Sequence, residues 1–342
     1  GHKRRKEEDS LEQYHKDIAA SLQKITEEAV FALLNHVYKQ TNCPNLCMAG
    51  GVALNSVVNG KILKNTPFKK IFIQPSAGDG GNSIGAAFYA HNVILGNKRT
   101  YVMDHAYLGP AYSQKQIKHF LDTKHIKHTT FKDDKELAQK TADLLHKKHV
   151  VGWFQKSMEF GPRALGARSI LSSPCGQDMQ DILNLKVKHR EKFRPFAPSI
   201  CVEDVPAYFD CDAPVPFAAD FMLMVYPIKK EKRTLLPAVT HVDGTGRLQV
   251  VRKKYNKRYY DVIKASNGAD GIDYASKYHP DIILCDIMMN GMTGYDVLDH
   301  IRRTPDIALT PFIFLTAKSD RESLRYGMEL GADDYIPKPF NP

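Results

Sequence analysis

From residue 260 onward the sequence alternates short apolar runs with helix-patterned segments, and this rhythm constrains the fold more than any other feature. The runs fall at 262–265, 282–286, 312–317 and 335–336. Strand, helix, strand in that order predicts a parallel sheet, because a crossover helix returns the chain to the same sheet end. Upstream the pattern differs. Residues 8–40 place Ile18, Leu22, Ile25, Ala29, Val30, Leu33, Leu34 and Val37 at helical spacing, which predicts one long amphipathic helix or two. Residues 45–48 and 71–73 read as strands, each leading into a glycine-bearing turn and then a helix. A connector is expected over 96–112, two helices over 115–149, a strand over 150–154, and mixed α/β structure with many prolines after 160.

Charge divides the chain at the same place. Residues 266–342 carry 7 Lys/Arg against 12 Asp/Glu, a net of −5, so residues 1–265 carry +15 within a whole-chain total of +10. A shift of that size marks a domain boundary near 265, and 342 residues suffice for two or three domains with their own cores. No run of 18 apolar residues occurs, so no membrane partner is expected. The basic start, Gly1-His2-Lys3-Arg4-Arg5-Lys6, leads into acidic helix-forming sequence, which argues against a secretory signal, and the missing initiator Met suggests a fragment. Cysteines at 43, 47, 175, 201, 211 and 285 lack zinc-type pairing and disulfide density, so reduced thiols and a cytoplasmic location are expected. The Arg and Lys residues of the basic part sit among glycines rather than in one aromatic-interleaved stripe. Phosphate-bearing small substrates fit that distribution at least as well as RNA, and no nucleic-acid partner is expected.

Five segments of the basic part carry candidate chemistry. Ala49-Gly50-Gly51-Val52-Ala53-Leu54-Asn55, with Asn59 beyond it, puts paired glycines after a strand, where backbone amides can approach a phosphate; a plain turn reads the same way. Gln74-Pro75-Ser76-Ala77-Gly78-Asp79-Gly80-Gly81-Asn82-Ser83-Ile84-Gly85-Ala86-Ala87 holds an acid among glycines, suited to a metal or nucleotide and equally to a helix cap. The third segment, residues 160–171 with Gly161-Pro162-Arg163 and Arg168, and the fourth, residues 184–198 with Lys186, Lys188, Arg190, Lys192 and Arg194-Pro195-Phe196, set guanidinium groups in apolar, proline-fixed surroundings, which suits bidentate recognition of phosphate or carboxylate-like oxygens. The fifth is Val239-Thr240-His241-Val242-Asp243-Gly244-Thr245-Gly246-Arg247-Leu248-Gln249.

In this order the five segments resemble the NodU/CmcH-type O-carbamoyltransferases over nearly all of residues 10–264. The resemblance implies an α/β and α+β multidomain chain: half of an actin-like (ASKHA) domain over 1–100 and a YrdC-like α/β domain, truncated, over 101–265. It implies carbamoyl phosphate and ATP as substrates, carbamoyl-adenylate as the activated product, and transfer of carbamoyl to an acceptor hydroxyl. Gly50, Gly51, Asn55 and Gly80 would line the nucleotide, and Asp79 would ligate Fe2+ or a similar divalent metal. Arg163, Arg168, Lys188, Arg190, Arg194 and Arg247 would hold phosphates and carbamoyl oxygens, with His241 and Asp243 nearby or stabilising a loop. The family's metal site also takes two histidines four residues apart, and none of the 14 histidines has that spacing here. His125/His128 and His146/His149 are three apart and read as solvated helix residues.

In the acidic part, Asp281-Ile282-Ile283-Leu284-Cys285-Asp286 is a buried-strand pattern ending in a carboxylate, at the strand end where parallel sheets do chemistry. Thr316 lies 30 residues on, and Lys338 a further 22. This resembles a response-regulator receiver, a flavodoxin-like doubly wound domain, here partial over 266–342. The resemblance implies Asp286 as phosphoacceptor, Thr316 on the phosphoryl group, Lys338 balancing its charge and Tyr335 as switch aromatic. It also implies Mg2+ and a sensor histidine kinase partner, although the family's acidic magnesium-binding pair has no counterpart here. Two alternatives to the transferase reading follow: a two-component signalling protein acting through Asp286, or an inactive chimera joined near 265.

Overall fold

A computed structural model describes residues 5–6, 9–265, 275–276, 279–287, 293–316 and 321–337. Helix α1 (Gln13–Thr41) is continuous for 29 residues and ends at Asn42, which takes the left-handed conformation that asparagine tolerates. The sequence places apolar residues on two of its sides, and only one packs. Leu34 is buried, with Val30, Phe31 and Tyr38 against the core, and Gln23 and Glu27 on the same side bond Asn55 and Lys61. The other stripe, Ile18, Leu22, Ile25 and Leu33, is exposed.

Strands β1 (Asn45–Met48) and β2 (Lys70–Ile73) pair in parallel, with Leu46 opposite Ile71. Between them lie the single-turn helices α2 (Ser56–Asn59) and α3 (Ile62–Asn65), and after β2 comes α4 (Asn82–Tyr89). Asn59 is fully buried because its amide ties two distant segments, donating to the Ala53 and Leu223 carbonyls at 2.8 and 2.9 Å.

The expected pair of helices is α5 (Gln114–Thr123) and α6 (Asp134–His146), each opened by a side-chain cap, Ser113 and Asp133 respectively. Strand β3 (Val151–Phe154) pairs antiparallel with β4 (Arg168–Leu171). The single-turn helices α7 (Met179–Ile182) and α8 (Val205–Tyr208) flank β5 (Ser199–Cys201). Strand β6 (Tyr226–Pro227) pairs antiparallel with β7 (Thr245–Gly246), and β8 (Gln249–Val251) runs parallel to β5.

One sequence expectation is overturned here: residues 262–265 are not a strand. They end helix α9 (Lys257–Ala265). The Asn256 carboxamide accepts the Tyr259 amide and so caps the helix start, and Lys257 and Asp261 pair one turn apart. Tyr259, Val262 and Ile263 then share a face against Leu145 of α6, Trp153, Leu171 and Cys201. Packing of that face outweighs the β preference of the branched residues.

Beyond residue 280 the parallel sheet appears as the alternation predicts. Strands β9 (Ile283–Asp286), β10 (Phe312–Thr316) and β11 (Asp334–Pro337) lie in the order β11-β10-β9. Helices α10 (Gly294–Arg303) and α11 (Arg321–Glu329) alternate with them, and Val297, Leu298, Ile301, Phe312 and Phe314 form a separate core. Among the described residues no helix is long and apolar enough to cross a membrane.

Candidate functional site

The two glycine-bearing turns meet at the C-terminal ends of β1 and β2, where the Gly50 amide donates to the Ala77 carbonyl at 2.7 Å. Gly50 has φ +99°, and a Cβ there or at Gly51 would point into open space. Gly80 is tighter, with Ser76 Oγ 3.0 Å from where its Cβ would be. Asn55 is committed to structure: it accepts the Val58 amide at 3.1 Å as the cap of α2 and donates to Gln23 at 2.9 Å. Asp79 is exposed at the start of a 3-10 turn. The Gly161 turn abuts Pro75, and the Arg163 guanidinium reaches the Leu54 carbonyl at 3.5 Å. The third segment is thereby laid against the first two.

A cavity of about 680 Å³ gathers Arg163, Lys188, Arg190 and Arg247 on its walls. Burial lowers the proton affinity of Arg163, while Arg247 is pushed down to about 10 by burial and then by the Arg163 and Arg190 charges. Buried Nε atoms of Arg163 and Arg247 have no hydrogen-bond partner. Arg190 is braced, its Nε donating to Asn184 Oδ1 at 2.7 Å and its guanidinium lying 4.8 Å from the Phe196 ring centre. Crowded cations with buried, unpartnered Nε–H groups cost stability by themselves, and an anion would relieve them. Apolar and aromatic side chains, including Ile200, Tyr208, Phe209, Met222 and Leu236, make up much of the remaining lining, together with polar groups such as Ser199 and Asp204.

The other predicted residues lie outside this cavity. Arg168 is saturated by backbone: it donates to the carbonyls of Gln155, Ala167, Pro110 and Lys156 at 2.6–3.2 Å, and its guanidinium stacks 3.7 Å from the Phe154 ring centre. Arg194 is half-exposed and paired with Glu191 at 2.7 Å. His241 and Asp243 organise the loop that delivers Arg247. Asp243 accepts the Thr245 amide and hydroxyl at 3.0 and 2.7 Å, and His241 Nδ1 lies 3.0 Å from the same hydroxyl. Burial lowers the His241 pKa, with Arg247 acting in the same sense and Asp243 in the opposite one.

Sequence reasoning missed the cavity floor, where the Tyr259 hydroxyl donates to Ser199 Oγ at 2.8 Å, Ser199 to Gln249 at 2.7 Å, and Gln249 to the Leu165 carbonyl at 2.9 Å. Gln249 closes the fifth segment, so its position was visible, but a role for it was not. Lys232 and Asp296 also line the cavity, and no motif pointed to either.

Among the described residues no three His, Cys, Asp or Glu side chains converge as metal ligands. Asp79 is one exposed carboxylate, so these residues do not make up the donor set of an iron site.

In the parallel sheet, Asp286 ends β9, and Thr316 ends the adjacent β10, where Leu315 pairs with Asp286. The Asp286 carboxylate lies 3.8 Å from His146 at the end of α6. Tyr335, on β11, packs 5.1 Å from the Phe314 ring, and burial, then Tyr295, raises its hydroxyl to about 12. Lys338 lies outside the described residues.

Comparison with known proteins matches residues 2–88 to the carbamoyltransferase N-terminus family, 142–275 to the carbamoyltransferase C-terminus family, and 243–342 to the response regulator receiver domain. The last two overlap over residues 243–275, the segment that contains α9. Protein sll1178 of Synechocystis is 42% identical over 77% of this chain and 46% of its own length. Nodulation protein NolO of Bradyrhizobium diazoefficiens is 40% identical over 74% of this chain and 46% of its own, and nodulation protein NolNO of Sinorhizobium fredii 40% over 76% and 38%. The chain thus spans less than half the length of these curated relatives. Among solved structures, the Vibrio cholerae chemotaxis protein CheY4 is 27% identical, covering 28% of this chain and 69% of that one at a TM-score of 0.22. By both halves of its matched sequence the chain belongs to the carbamoyltransferase family, and it carries response-regulator receiver sequence on its C-terminal side.

Proposed function

We propose that the cavity binds carbamoyl phosphate and ATP and activates the carbamoyl group as carbamoyl-adenylate for transfer to the hydroxyl of a small-molecule acceptor. The observation that carries this reading is the convergence of Arg163, Arg190 and Arg247 on one cavity, their charges acting on one another, with buried Nε–H groups of two of them unpartnered. A volume of about 680 Å³ is several times that of carbamoyl phosphate alone and leaves room for a nucleotide. Apolar lining residues would take its base, the guanidinium groups its phosphates.

For the atoms to balance, water first cleaves carbamoyl phosphate to carbamate and phosphate. A carbamate oxygen then attacks the α-phosphorus of ATP, and pyrophosphate leaves. Finally the acceptor hydroxyl attacks the carbamoyl carbon, loses its proton and expels AMP. Negative charge builds on phosphoryl oxygens in the first two steps and on a carbonyl oxygen in the third. Fixed cations at a poorly solvated wall stabilise such charge without reorganising. Asp79 is the carboxylate this chain offers to a divalent cation at the glycine turns, and no step above is routed through a metal.

Pyrophosphate release from ATP, dependent on carbamoyl phosphate and lost in Arg247→Ala, tests this. Release that survives the substitution unchanged would refute it.

The position of Asp286 at a parallel strand end beside Thr316 favours a second reading, phosphoryl acceptance from a sensor histidine kinase. Labelling by acetyl phosphate that disappears in Asp286→Asn supports it, and labelling that persists removes it.

A further inference from the structure

We infer that Lys232 is a further cation for the anion held in the cavity, and that Asp296 competes with that anion for it. This rests on the reading of the cavity as a site for phosphate-bearing ligands. Both residues line the cavity, with Lys232 Nζ 3.7 Å from Asp296 Oδ2. The Lys232 side chain is only 18% exposed and its ammonium lies 5.2 Å from the Tyr208 ring centre, so its alternatives to Asp296 are the cavity and little else.

Two features make the pair an exchangeable one. Asp296 Oδ2 already accepts the Thr293 amide and hydroxyl at 2.9 and 2.8 Å, in the capping box of α10, and keeps both when Lys232 leaves. The ion pair at 3.7 Å is longer than either bond, and half the pair is substantially exposed. The backbone of Lys232, by contrast, is held. Arg233 donates Nε to the Ile228 carbonyl at 2.9 Å and lies over Gly244, where a Cβ would stand 2.3 Å from the guanidinium carbon. Gly244 belongs to the loop that carries Arg247, so one short framework positions Lys232 and Arg247 together. A flexible four-carbon stem on a fixed backbone can turn its ammonium from Asp296 to a phosphate oxygen.

Asp296 comes from the receiver part and Lys232 from the transferase part. Ligand that draws Lys232 inward therefore loosens a contact between the two, and loosening that contact favours ligand to the same degree.

Titration calorimetry of the full chain with ATP at low ionic strength tests this. Arg247→Ala establishes that ATP occupies the cavity: no binding to wild type, or equal binding to this variant, overturns the cavity reading and this inference with it. Given that control, Asp296→Asn tightens ATP binding about three- to fivefold and Lys232→Ala weakens it by a similar factor. Asp296→Asn has no effect in the Lys232→Ala background, which a general electrostatic effect of the carboxylate would not produce. Thr293→Ala, which weakens the α10 cap but keeps the Asp296 charge, leaves affinity as in wild type. An unchanged affinity in Asp296→Asn, or the same gain with and without Lys232, overturns the competition.

Discussion

In the cavity, Arg163 and Arg247 crowd one another on loops and keep buried Nε–H groups without partners. In the receiver sheet, Asp286 ends a strand in regular parallel pairing, and the backbone around it is closely packed. The first arrangement spends stability to hold charge ready for a ligand; the second obtains its position from the regular fold and leaves no slack around it. Substitutions should therefore act oppositely: steric ones unfold the sheet, whereas removal of charge leaves the cavity folded and disarms it.

The largest effect is expected at Gly294, where a Cβ would stand 2.6 Å from the Asp286 carbonyl oxygen and 2.9 Å from Ile287 Cα. Both neighbours are backbone, so Gly294→Ala should cost about 3 kcal/mol, read as lost amide-exchange protection in β9 and β10. Undiminished protection would show that the sheet has slack and break the contrast.

Next in size is Arg168→Ala, which removes four bonds to carbonyls and the stacking on Phe154. A loss of about 2–3 kcal/mol in urea unfolding is expected, with ATP affinity retained when measured below the transition. Arg247→Ala should do the reverse: affinity falls about tenfold, near 1.4 kcal/mol, while the thermal midpoint stays or rises. If the two arginines behave alike, the distinction between rivet and ligand group is wrong.

That distinction was not legible in the sequence. Arg163 and Arg168 stand five residues apart in one segment with the same kind of neighbours, yet one faces the cavity and the other, opposite Phe154 at the start of β4, is folded back onto carbonyls. Spacing reports which residues travel together, not which way a loop turns them. The regular parts were readable for the converse reason: period and strand-end position fixed Asp286, Thr316 and the parallel sheet before any contact was known. Helix α9 marks the limit of that method, since the cap at Asn256 and the partners of Tyr259 are tertiary facts. Lys232 and Asp296 meet across 64 positions of sequence, and no local pattern announces such a pair.

The smallest effect is a matter of pH and bears on whether the cavity wall is truly crowded with positive charge. His241 is held with a pKa below the ordinary imidazole value, first by burial, and Arg247 lowers it further against the opposing pull of Asp243. As pH falls through about 6.5, the unfolded chain takes up a proton that the folded chain refuses, so stability is full above that value and lost on acidification. In His241→Asn the part of the acid-side slope due to this residue should vanish, as unfolding midpoints at stepped pH will show. A sharper probe is the His241 ring proton followed by NMR. Removing the neighbouring guanidinium in Arg247→Ala should move its titration upward, toward the ordinary value. A midpoint that does not move would mean that burial and Asp243 set the histidine between them, and that the Arg247 charge is neutralised by groups other than a ligand.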